Sequence, residues 1–506
     1  MKLEFTRTEH SHFGLVQDTV CSREETLEMI VPDACPDMVQ VTDTYGYCCL
    51  TRREMTDSGA LLAGTVRVTV LYLPEGSEEL RRLEAELPFQ HLSECSQGDS
   101  SCRLLAKAAV VTAETRMMNP RKVLIRVDLR ESVQIYRPEV LSVGSGLKDE
   151  ESLGLQQRVE HYQTAFSLEP GEKTFSLEET LTLPVGKNPV TELLRLQPSA
   201  YCNEARLIGS KLVFKGGVSI RLLCRNEEGE LSSADFDLPL SQMMEAGGAG
   251  EGAIFQTLIQ VLDWQLGPLS GDGRAVSITV ELAAQAVFYE SVPVALITDA
   301  YSISYPLTLQ REPLRFQRLA DCTVLRQPIR TFLEAEGVRS VCDCHVELGI
   351  LQSAREGEQT VLTVPAEATV LYLDEQGGYR SQHMTFSVTV QRPLPSDGKL
   401  TCSYGITQLE ALPAAAGIEL RGMVEFQLRF RQIFEAVGLN EVELDQEHPL
   451  EHMGQPSVVL RRPAKGEDLW SIAKRYSTTS QEICSANGLN EDQPLGNQML
   501  LIPRKR

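Results

Sequence analysis

The densest group of reactive side chains in this 506-residue sequence is Cys342-Asp343-Cys344-His345. Two thiols and an imidazole this close are soft ligands suited to zinc, which takes four such donors in a tetrahedron. No second Cys-x-x-Cys or His pair stands elsewhere to complete the set. Alternate residues of a strand share a face, so the pattern predicts Cys342 and Cys344 packed inward together beside Val346. Cys48 and Cys49, as strand neighbours, point to opposite faces. The eight histidines, at 10, 12, 91, 161, 345, 383, 448 and 452, include no helical His-x-x-x-His pair. A Gly-x-x-x-x-Gly-Lys phosphate loop and a Gly-x-Ser-x-Gly elbow are also missing from the sequence. The expectation is a non-enzymatic protein with no catalytic, cofactor or metal site.

What remains is contact chemistry near the C-terminus. A tryptophan gives a large contact area for little lost entropy. Trp470 stands one position past the apolar Leu469, and Lys474 follows one helical turn later on the same side. Lys465 and Arg475 extend a positive rim. Trp470 and Lys474 are therefore predicted to face a partner, while Leu469, Ser471 and Ile472 hold the helix in place.

The elements that position these residues are legible. Leu469, Ile472, Ala473 and Tyr476 recur at i, i+3, i+4 and i+7, the stripe that one helix face buries. Asp468 precedes the stripe as an N-cap. Thr479 and Glu482 form a capping box for a second helix, which Gly488 stops after Asn487. Val458 to Leu460 and Met499 to Ile502 are flanking strands, giving a βααβ module over 456–506.

These residues resemble a LysM domain. Gly466, Leu469, Trp470, Ser471, Ile472, Ala473, Tyr476, Ile483, Asn487, Leu495, Gly496, Leu501, Ile502 and Pro503 fall where the family pattern has them. The resemblance implies binding of an N-acetylglucosamine polymer, such as peptidoglycan or chitin. The groove would lie between the first strand–helix loop and the second helix–strand loop, with Lys465, Gly466, Asp468, Leu469, Trp470, Ser471, Lys474, Asn487 and Ile502 as the binding set. The usual Gly-Asp-Thr-Leu start reads Gly466-Glu467-Asp468-Leu469 here. A carboxylate thus replaces a neutral hydroxyl beside the sugar groove, which points toward a changed ligand.

The formal charge is −22, but from Ser457 onward eight Lys/Arg against five Asp/Glu give +3, leaving −25 on the rest. An acidic body argues against nucleic acid as the main partner. The start MKLEFTRTEHSHF lacks the apolar run of a secretion signal, and no stretch approaches the roughly 18 apolar residues of a membrane span. Thirteen cysteines, an odd number, fit a reduced cytosolic protein.

An internal repeat governs the body. Pro32 and Pro184, and Val66 and Val218, are 152 apart; Arg121 to Tyr136 matches Arg274 to Tyr289 at 153 without a gap. A fainter third copy surrounds Val370 and closes with Gly417 to Phe430. Val66, Val68, Val70 and Tyr72 alternate with polar residues, as do Val123, Ile125, Val127 and Leu129. Each copy therefore reads as a β-sandwich or barrel-like unit. Short helices are expected at Val190 to Leu196 and Gln242 to Ala246. The division is 1–148, 160–303 and 308–446 (divergent), then 456–506, with linkers near 145–165, 300–312 and 446–456.

Three such β units followed by one LysM module resemble the SPOCS family of clostridial spore-coat proteins. The resemblance implies a mother-cell protein at the forespore surface whose LysM module docks on a coat ATPase of the SpoIVA type. Open strand edges would allow self-association. The alternative is a wall or cortex protein that holds peptidoglycan.

Overall fold

The computed structural model describes residues 1–148, 153–451, 456–490 and 498–504. His452, Leu495, Gly496 and parts of the expected linkers at 145–165 and 446–456 lie outside the described residues. The described residues are mainly β, with two helices among them, both in the C-terminal module.

In the first unit β1 (Phe5–Ile30), β2 (Met38–Thr56), β3 (Gly59–Pro74), β4 (Arg81–Glu94), β5 (Arg103–Asn119) and β6 (Lys122–Leu147) form two antiparallel sheets, β1-β6-β5 and β2-β3-β4. The alternating residues explain the sandwich. Val66, Val68, Val70 and Tyr72 of β3 meet Val123, Ile125, Val127 and Leu129 of β6 in one core, all fully buried. Each such side chain stabilises the fold by about 1.5–3 kcal/mol.

The second unit repeats the connectivity with β7 (Leu155–Ser167), β8 (Gly171–Thr182), β9 (Val190–Ile208), β10 (Lys211–Asn226), β11 (Leu231–Glu245), β12 (Ile254–Leu269) and β13 (Ala275–Ser302). Here β7 and β8 together take the place of β1 against the last strand, β13. The third unit comprises β14 (Leu307–Glu334), β15 (Val338–Leu348), β16 (Gln352–Glu356), β17 (Gln359–Asp374), β18 (Tyr379–Arg392), β19 (Lys399–Ala414) and β20 (Gly417–Leu444). Its sheets are β14-β20-β19 and β15/β16-β17-β18.

The units meet through equivalent residues, which defines a pseudo-threefold axis. Leu71, Leu223 and Leu371, opposite Asp43, Arg195 and Asp343 in their ladders, share one apolar cluster. Leu147, Ala300 and Val442, near the ends of β6, β13 and β20, share another. The N-terminus closes the ring: Met1 donates to the Leu444 carbonyl at 2.7 Å and Leu3 to that of Val442 at 2.9 Å.

Two local expectations are corrected. Val190 to Leu196 and Gln242 to Glu245 are strand, not helix. Their leucines and methionines suit a helix, but pairing with β10 overrides that preference, Leu196 opposite Leu222 and Met244 opposite Leu212. Cys342 and Cys344 do not share a face. A β-bulge falls between Val341 and Asp343, which sends Cys342 into the inter-unit leucine cluster and Cys344 into the core of its own unit.

Candidate functional site

The C-terminal module comprises β21 (Val458–Arg461), α1 (Leu469–Tyr476), α2 (Ser480–Asn487) and β22 (Leu500–Pro503). Asp468 caps α1 by accepting from the Ser471 amide at 2.9 Å. Thr479 accepts from the Glu482 amide at 3.1 Å, while the Glu482 carboxylate accepts from the Thr479 amide at 3.3 Å. Ser477 and Gly488, both left-handed, end the two helices. Asn487 ties α2 to β22, exchanging bonds of 2.6 and 2.7 Å with the Leu501 backbone.

Leu469, Ile472, Ala473, Ile483, Cys484, Leu500 and Ile502 form the module's core, and Tyr301 and Ile303 of the second unit complete it. The module is thus seated on the body, and polar bonds fix it there. Asp299 of β13 accepts from Trp470 Nε1 at 2.8 Å and from Lys474 Nζ at 2.6 and 2.8 Å. Tyr301 donates to the Thr478 carbonyl at 2.8 Å and meets the Trp470 ring edge-on, centroids 4.9 Å apart. Arg158 of β7 donates to Asp468 at 2.8 Å.

A β-bulge aims Asp299 at the module. Ile297 pairs Val159 and Asp299 pairs Arg158, so Thr298 is left over. The first and third units carry the same bulge, at Ser145 and Asn440, but follow it with Gly146 and Glu441. Only the second unit offers an aspartate at this place. Burial would raise the Asp299 carboxyl, but the bonds from Lys474 and Trp470 outweigh it and hold the group below its ordinary range.

The nine residues of the expected binding set therefore divide. Leu469 and Ile502 are core, and Asn487 is a tie within the module. Trp470 and Lys474, expected to face a separate partner, are instead bonded to Asp299 of the same chain. Asp468 and Ser471 bond each other at the helix start, Asp468 also reaching Arg158. Lys465 and Gly466 lie on the exposed strand–helix loop, and nothing stands within 4 Å of the place a Gly466 Cβ would take. Sequence reasoning missed Asp299, Tyr301 and Arg158. Asp299 lies where β13 leaves strict alternation, and that irregularity was the available signal.

Among the described residues no three His, Cys, Asp or Glu side chains gather as a metal set, and no helix is long and apolar enough to cross a membrane. Residues 464–503 match the LysM domain family model, so the module is a LysM domain. That family's fold carries the expectation of N-acetylglucosamine-type binding. No curated protein and no solved structure was found to match the chain.

Proposed function

We propose that this protein is a non-enzymatic adaptor, a three-unit β scaffold that displays one LysM domain as its capture surface. The observation that carries the reading is the mounting of the domain. Trp470, Lys474 and Asp468 are bound by Asp299 and Arg158, which leaves the Lys465-Gly466 loop outward on a module already fixed in place. A preorganised surface loses little entropy when it binds.

The resemblance of the repeated units plus one LysM domain to SPOCS-family spore-coat proteins, the morphogenetic protein SipL among them, supports a more specific role. In it the protein works in the mother-cell cytoplasm at the forespore surface and captures a coat ATPase of the SpoIVA type, the basic rim around Lys465 meeting an acidic face. Asp468, the departure from the usual Gly-Asp-Thr-Leu start, is committed to Ser471 and Arg158 and so serves the mounting rather than the capture. The β units would also associate with further copies through open edges.

A second reading, capture of peptidoglycan, is favoured by the LysM match itself and by the open space beside Gly466. Full-length protein passed over insoluble peptidoglycan and over an immobilised coat ATPase separates the two. Retention on the ATPase, lost in Lys465→Glu, is expected. Retention on peptidoglycan alone would replace the adaptor reading with the glycan one.

A further inference from the structure

The second feature of the pseudo-threefold axis is an open cavity of about 330 Å3 lined by strands of all three units. That is within the range of small-molecule sites. The buried group Asp43, Arg195 and Asp343 precedes the lining residues Tyr45, Gln197 and His345 by two residues on each strand. Arg429, two residues beyond the lining residue Gln427, donates to Tyr136 at 3.2 Å, Tyr289 at 3.0 Å and Gln134 at 2.9 Å. Exposed Asp235 and Gln408 line its outer part.

Three equivalent positions on β5, β12 and β19 carry Lys107, Leu258 and Ser403, which pair Ser132, Gln285 and Gln427 respectively. All three line the cavity. Only one is charged. Among the described residues nothing bonds the Lys107 ammonium, whereas the two other cations of the wall have partners. Arg130 donates to the carbonyls of Leu348 and Gly349 at 3.0 and 2.8 Å, and Arg221 is paired with Asp235 at 2.6 Å. Of the carboxyls that line the cavity, Asp235 and Glu425 are paired with Arg221 and Arg326, and burial pushes Glu347 well above the usual carboxylate range, which favours its neutral form. Burial, then Arg130, lowers Lys107 to about 8, so it is still mainly an ammonium at pH 7.

A part-buried cation with no partner is costly, and an anion entering the cavity would offset that cost. Two further polar groups stand in the same wall. The Tyr45 hydroxyl has no hydrogen-bond partner among the described residues, and Glu347 meets only His345 Nε2, at 3.3 Å. We propose that the axial cavity is a binding site for a small hydroxylated organic acid, its carboxylate held by Lys107 and its hydroxyls by Tyr45 and Glu347. The site is separate from the LysM domain and independent of the adaptor reading, so failure of either leaves the other standing.

The test is the melting temperature of the full chain in gluconate, against its uncharged counterpart sorbitol and against sodium chloride at equal ionic strength. At a gluconate concentration about 100 times Kd, wild type is expected to gain roughly 2–3 °C over both controls. Lys107→Met, nearly isosteric, should lose that gain. Ser403→Leu keeps the lysine and fills the space from the equivalent position; it should lose the gain as well, and it decides the matter if Lys107→Met does not fold. A gain no larger in wild type than in these variants, or one that sorbitol reproduces, overturns the proposal.

Discussion

Arg195 donates through Nε and Nη2 to a single oxygen of Asp343, at 3.0 and 2.6 Å, although the two residues occupy equivalent positions in neighbouring units. Its Nη1 reaches Asp43, the third equivalent position, at 2.5 Å, and all three side chains are fully buried. A perfectly symmetric trimer cannot do this, because three like charges would meet on the axis. Duplication followed by divergence allows one arginine between two aspartates. Burying the trio is expensive, and breaking it is worse. Arg195→Ala should cost about 3–5 kcal/mol in chemical denaturation, while Asp43→Leu/Arg195→Met/Asp343→Leu should be neutral or stabilising. A triple variant as unstable as Arg195→Ala would show that the charges themselves hold the units together.

Acid should act on the same group. Burial raises Asp43, but Arg195 and His345 outweigh it, so the carboxyl titrates below its ordinary 3.8. A depressed pKa in the folded state contributes stability above the ordinary value and loses it as pH falls through the folded one. Asp299 is lowered too, with the same sign. Melting temperature and LysM docking should both be insensitive to these two groups from about pH 5 to 8 and should fall below pH 3.8. Loss of docking that starts near pH 6 would assign it to another group.

The strands and the LysM helices were legible because burial periodicity is local: Val123, Ile125, Val127 and Leu129 announce one face, and Leu469, Ile472, Ala473 and Tyr476 another. The axis was not legible in the same way. Asp43, Arg195 and Asp343 make no sense within one unit, and each follows a bulge that breaks the period of two. Aligning the copies places an arginine opposite aspartates, and that mismatch was the readable sign. Lys107 left a similar trace, a lone charge inside the apolar run Leu104-Leu105-Ala106-Lys107-Ala108-Ala109-Val110. The helix expected at Val190 to Leu196 failed because Leu193, Leu194 and Leu196 favour either state alone, and pairing with β10 decided it.

Gly64 and Gly216 mark equivalent close approaches of strands. A Cβ would stand 2.1 Å from the Cys49 carbonyl oxygen at the first and 2.0 Å from that of Tyr201 at the second. The obstacle is backbone in both cases, so the sheet itself must move. Gly64→Ala and Gly216→Ala should each destabilise by about 1–3 kcal/mol, read as a shift in denaturation midpoint. Gly76→Ala serves as a comparison with a different cause, since no atom lies within 4 Å but φ is +74°. Equal midpoints for Gly216→Ala and wild type would mean that the strands are farther apart than described.

The seat of the LysM domain predicts how Trp470 should behave. Its indole bonds Asp299 and packs against Tyr301, so it works as an internal fastener. Asp299→Asn removes the charge that Lys474 and Trp470 share while keeping the size. The module should stay folded, because its core of Ile472, Ala473, Ile483 and Ile502 is untouched. It should come loose, however, giving red-shifted Trp470 emission. The other tryptophan, Trp264, is buried between the first two units beside Tyr47 and Arg67, and its emission should not change. Partner capture through Lys465 should weaken in Asp299→Asn, where the preorganising mount is lost, and disappear in Lys465→Glu. If Asp299→Asn abolishes capture while the module remains folded, the partner reads the docked surface as a whole rather than the outward loop.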